Sequence, residues 1–103
     1  MSVRWMRTAQ IKGGKTMEAV AWSKELNAHM EKKHGLPKIH IWLDSFGTLN
    51  TVRWTIDVPD LATLEKAQTS IMSDPDYWKA VKKAVEQDLF FDGTIVDNIY
   101  REV

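Results

Sequence analysis

The 103-residue chain contains no cysteine. Disulfides, thiolate catalysis and cysteine-ligated zinc are thereby excluded. It also has no net charge, with 14 Lys and Arg against 14 Asp and Glu. Broad capture of nucleic acid or of an anionic membrane needs a basic excess that this chain lacks. No apolar run approaches the roughly 20 residues that span a bilayer. The opening stretch Met1–Arg7 has no apolar region of the kind found in a secretory leader. The expectation is a cytoplasmic protein with neither a nucleic-acid nor a membrane partner. A neutral chain also lacks the repulsion that keeps copies apart, which is compatible with self-association.

Motifs are sparse as well. Gly13-Gly14 is a turn and not a phosphate loop, because no GxxxxGK[ST] spacing follows. The three histidines, His29, His34 and His40, show no HxH or HExxH spacing, so no metal site is expected. His29 and His34 flank the apolar stripe of a helix and read as solvated surface residues.

What the chain does have is hydrophobic patterning. With 44% hydrophobic and 27% charged residues it has the make-up of one globular domain, residues 1–103. Val3 to Ile11 reads as a strand, and Lys12–Lys15 breaks it. With Thr16 as N-cap, Met17 to His34 reads as a helix whose stripe is Ala19, Trp22, Leu26 and Met30. Gly35 and Pro37 stop it. Lys38 to Ser45 and Thr51 to Val58 alternate as two strands joined by a short loop, and so form a hairpin. Pro59-Asp60 opens a second helical region, with Leu61, Leu64, Ala67 or Gln68, and Ile71 on its apolar side. Ser73-Asp74-Pro75-Asp76 restarts that region, with Pro at a first helical position. Asp76 to Phe90 then places Trp78, Val81, Val85 and Leu89 on one face, and Thr94 to Arg101 is the last strand.

The order strand–helix–strand–strand–helix–strand gives an α+β, ferredoxin-like fold. Its four-stranded antiparallel sheet has the first and third strands central and the helices on one face. The other face carries Met6, His40, Trp42, Arg53, Thr55 and Asp57, with Arg4, Thr8 and Gln10. A face that is half apolar and half charged suits coverage by a second protein surface. A solvated face with stray aromatics is the alternative.

Three stretches carry a resemblance: Arg53-Trp54-Thr55-Ile56-Asp57, then Ser73-Asp74-Pro75-Asp76-Tyr77-Trp78 followed by Lys79-Ala80-Val81, then Phe90-Phe91-Asp92-Gly93. In layout and local text the chain resembles the dimeric α-β barrel group, and within it NIPSNAP-like proteins and the antibiotic-biosynthesis-monooxygenase type. The resemblance implies a homodimer closed through the mixed sheet face. It also implies a sheet–helix pocket for a small apolar or aromatic molecule, in a family whose members include cofactor-free monooxygenases, haem-degrading enzymes and isomerases. Haem-holding members use a histidine on a pocket-lining helix, and none lies between Asp60 and Phe91. The expectation is therefore no cofactor.

Arg7 and Asp97, on the neighbouring first and last strands, are candidate pocket residues together with Trp5 and Trp54. Asn98 and Tyr100 are further candidate donors. A structural ion pair, or a pair on the barrel face, is the competing reading for Arg7 and Asp97. The RNA-recognition motif shares the element order, but its basic-Gly-aromatic run is absent from Thr51–Ile56. A regulatory ligand-binding module and a purely structural homodimer remain as non-enzymatic alternatives.

Overall fold

The computed structural model describes residues 2–103. Its elements are β1 (Val3–Gln10), α1 (Thr16–His34), β2 (His40–Leu43), β3 (Thr51–Val58), α2 (Leu61–Met72), α3 (Pro75–Glu86) and β4 (Val96–Arg101). The sheet order is β2-β3-β1-β4 and every pairing is antiparallel. This is the ferredoxin-like α+β architecture, with the second helical region broken in two by its acidic restart.

Local chemistry explains most boundaries. Gly35 ends α1 in the left-handed region at φ 63°, where a side chain is costly. Asp60 caps α2 by accepting from the Thr63 amide at 2.8 Å. Asp74 caps α3 through the Asp76 amide, and Pro75 fills a position whose missing N–H costs nothing. The start of α1 differs from expectation. Thr16 is already helical and no side chain caps that end.

Register sets the two faces of the sheet. Val3, Trp5, Arg7 and Ala9 pair with Val58, Ile56, Trp54 and Val52, and these share the helix-facing side. Of these, Val3, Ala9, Val52, Trp54, Ile56 and Val58 build the core with Ile11, Ala19 and Ile39, and Trp5, Trp22, Met30, Leu64 and Phe90 pack against it. Strand β2 is shorter than its alternation suggested, and Leu43 at its end is exposed beyond the reach of the helices.

Two apolar stripes are displaced. On α1, Ser23 and Asn27 are buried beside Ala19 and Leu26, while Trp22 and Met30 are only partly covered. On α3, Tyr77 and Ala84 are buried, whereas Trp78 and Val85 are exposed. Those two side chains border an open cleft instead of entering the core. No helix among the described residues is long and apolar enough to cross a membrane.

Candidate functional site

The helices do not seal the sheet. A cavity of about 420 Å³ lies against α1 and α3, walled by Trp22, Trp54, Phe90, Trp78 and Val81. A second, of about 510 Å³, lies under α2 beside Leu36, Ile56, Val58, Leu64 and Ile71. Both are lined by Trp5, Arg7, Met30, Ile39, Met72 and Tyr77, so the two lobes meet at one set of side chains. The volumes lie within the usual range for small-molecule pockets, and the walls are mostly apolar.

The aromatic wall is ordered by edge-on contacts. Trp54 stands 6.3 Å from Trp22 and 5.6 Å from Phe90, and Trp22 stands 5.5 Å from Phe90. Each indole N–H in this group is anchored. Trp54 Nε1 donates to Ser23 Oγ at 2.9 Å, and Trp22 Nε1 donates to the Ala80 carbonyl at 2.8 Å.

The polar centre is Arg7. Asp97 is its partner across β1 and β4, and the fork is bidentate: Nε to Oδ1 at 2.7 Å and Nη2 to Oδ2 at 2.9 Å. Nη1 donates to the Tyr77 hydroxyl at 3.2 Å, and the guanidinium lies 5.2 Å from the Trp5 ring centre. The bond from Arg7 holds the Asp97 carboxyl below its usual range, and the same bond raises Arg7. Asp97 is therefore charged and weakly basic near neutral pH. Because Tyr77 accepts from Arg7, its own O–H is free to donate. Nη1 and Nη2 each carry a second N–H. The set can present several donors to one oxygen of a molecule lying against the aromatic wall.

Arg7, Asp97, Trp5 and Trp54 are thus gathered on the cleft side of the sheet. Asn98 borders the lobe under α2 without joining the Arg7 hydrogen bonds, and Tyr100 lines neither lobe. Register pairs them with Met6 and Arg4, and strand alternation turns them to the opposite face. Tyr77 was missed in the sequence. It sits one residue before the expected stripe residue Trp78, and that shift of one position hid it.

On the open face, Met6, His40, Trp42, Arg53, Thr55 and Asp57 lie together as the alternation placed them. The charges there are already matched within the chain. Arg4 forks onto Asp57, and Arg53 forks onto Asp44 while reaching Thr8. The Trp42 indole donates to Thr55 Oγ1 at 2.8 Å and stays 51% exposed.

The histidines require a correction. His29 and His34, read as solvated, converge on Asp74 from the end of α1, and the His34 side chain is only 6% exposed. No spacing rule finds this group, because its third member, Asp74, comes from the distant junction between α2 and α3.

A layer of two helical regions over an antiparallel sheet, with an apolar cleft between, defines a ferredoxin-like α+β protein built around a sheet–helix pocket. The NIPSNAP family model matches residues 4–90, and the chain belongs to that family. An uncharacterised NIPSNAP-like domain protein from Burkholderia xenovorans superposes with a TM-score of 0.81 at 15% identity, covering 99% of this chain and 85% of that one. A NIPSNAP family protein from Agrobacterium tumefaciens gives 0.79 at 14% identity, over 100% and 94% of the two chains. SnoaB, a cofactor-independent oxygenase from Streptomyces nogalater, gives 0.70 at 11% identity, over 99% and 93%. At these identities the likeness is one of fold. A comparison with curated proteins finds no match.

Proposed function

We propose that the protein binds a small, flat aromatic molecule carrying a carbonyl or phenolic oxygen, with the rings in the sheet–helix cleft and the oxygen on Arg7 and Tyr77. The observation that carries this reading is the meeting of two apolar lobes at a single fixed donor set. A neutral Arg7–Asp97 pair favours an uncharged or weakly acidic ligand over a carboxylate, which Asp97 would repel. Binding by these groups needs no cofactor.

The test is calorimetric titration with 1-naphthol and with 1-methylnaphthalene, which matches its shape but lacks the oxygen. A hydrogen bond to a charged donor contributes about 1.5–3 kcal/mol, so 1-naphthol binds at least about tenfold tighter. Arg7→Met combined with Asp97→Asn narrows the gap between the two affinities, leaving only the Tyr77 hydroxyl as donor, while the fold persists. Equal affinities in the native protein count against the reading.

The same proposal includes a homodimer joined through the open face. Its support is that Trp42, Val96 and Tyr100 are exposed there, beside arginines whose charges are already matched. A second copy can cover them without burying an unpaired charge. Conversion of the ligand is a second reading, favoured by the fold shared with a cofactor-independent oxygenase. Donors aimed at one oxygen also stabilise the enolate-like charge that such chemistry develops. Oxygen uptake in the presence of 1-naphthol, lost in Arg7→Met, is its readout. No uptake leaves a non-catalytic binding protein.

A further inference from the structure

Away from the cleft, two side chains of α1 and one from the junction between α2 and α3 point ligand-type atoms at one spot. His29 Nε2 lies 2.9 Å from Asp74 Oδ2, and His34 Nε2 lies 2.8 Å from the same oxygen. The three candidate ligand atoms all fall within 4.8 Å of one another. The carboxylate side chain is 1% exposed and fixed from behind, since its other oxygen accepts from Lys33 Nζ and from the Asp76 amide, both at 2.9 Å. Behind His34, Nδ1 meets Ser70 Oγ at 2.9 Å, the kind of outer partner that orients an imidazole for metal binding.

We propose that His29, His34 and Asp74 form a binding site for a divalent transition metal of the zinc type. Two imidazoles and one carboxylate supply three of the four tetrahedral positions that such an ion takes. Water fills the fourth on the side of His29, the most exposed of the three. Ligand bonds of about 2.0–2.2 Å separate neighbouring donors further than the present contacts, so the rings swing outward by a few tenths of an ångström. Each imidazole then offers the Nε2 lone pair and carries its proton on Nδ1, where His34 donates to Ser70. The ion fastens the last turn of α1 to the junction of α2 and α3, which roofs the cleft. The Lys33 ammonium on the far oxygen opposes the ion and limits its affinity.

The experiment is titration of the full chain with Zn²⁺ by calorimetry and with Co²⁺ by visible absorption. One equivalent binds, Co²⁺ shows the bands of a tetrahedral site, and thermal stability rises with Zn²⁺ concentration. His29→Ala, at the exposed corner of the site, weakens binding about tenfold or more. Lys33→Met tightens it, which a cluster held only by hydrogen bonds gives no reason to expect. Absence of binding, or binding that survives His29→Ala, overturns the proposal. Should His34→Ala fail to fold, Ser70→Ala tests the His34 side through its Nδ1 partner, with a weakened site as the expected result and an unchanged one as contrary.

Discussion

Ser23→Ala tests how dry and how fixed the aromatic wall is. Ser23 is 1% exposed, and its hydroxyl donates to the Ala19 carbonyl at 2.8 Å while accepting from Trp54 Nε1 at 2.9 Å. Removing it leaves the Ala19 carbonyl its helical bond but strands a buried indole N–H. Such an orphan costs about 1–3 kcal/mol, and the better helix propensity of alanine offsets about 0.5 kcal/mol. The net loss is therefore about 0.5–2.5 kcal/mol. Trp54→Phe removes the donor instead, along with ring area packed on Trp22 and Phe90, and Ser23 keeps its bond to Ala19. In that background Ser23→Ala has nothing left to strand and keeps only the propensity gain of about 0.5 kcal/mol. The four proteins are compared by urea unfolding followed by far-UV circular dichroism, with m checked for constancy. A coupling of about 1–3 kcal/mol is expected, because the propensity gain cancels between the two backgrounds. Additivity within about 0.5 kcal/mol would refute the reasoning, and would mean that the indole N–H reaches water inside the cleft.

Three further outcomes follow from the geometry. Gly35→Ala has open space for its methyl but must hold φ at +63°, so stability falls by about 1 kcal/mol in the same unfolding assay, and Gly35→Asn loses less. Asp44, Asp57, Asp74 and Asp97 are all held below the ordinary carboxylate value of 3.8, chiefly by bonds from Arg53, Arg4, Lys33 and Arg7 respectively. The unfolded chain therefore binds more protons, and stability rises with pH through this range. The contribution is complete above about pH 5 and is lost on acidification below the ordinary value. Asp97→Asn flattens that slope in pH-dependent melting, and an unchanged slope would count against the pairing. Trp42→Glu puts a charge in the middle of the open face and converts the proposed dimer to a monomer, with light scattering reading a mass that falls from twice 11.9 kDa to that value. A native protein that already reads 11.9 kDa removes the dimer.

The fold was legible because each element announces itself locally. Alternation in Thr51–Val58, the Gly35 stop and the Asp60 and Asp74 caps are short-range signals, and they set the order from which the sheet follows. Facing residues were legible where strands pair, which is why Arg7 and Asp97 could be placed opposite each other. The helices were less legible. A stripe of spacing three or four does not say where the covering layer stops, so Trp78 and Val85 read as core although they border the open cleft. Buried polar groups were also missed. Ser23 is inside because Trp54, from a strand 31 positions away, needs an acceptor. His34 is inside because Ser70 and Asp74 surround it. Both depend on contacts between elements, which periodicity within one element does not encode.

The most direct test of the cleft as a binding site uses the tryptophans themselves. In a ¹H–¹⁵N spectrum each indole N–H reports its own surroundings: Trp5 and Trp54 line the cleft, whereas Trp42 lies on the open face. Titration with 1-naphthol shifts the Trp5 and Trp54 resonances along one saturating curve and leaves Trp42 still, and Arg7→Met together with Asp97→Asn weakens that curve. Shifts confined to Trp42, or none at saturating 1-naphthol, would contradict the account.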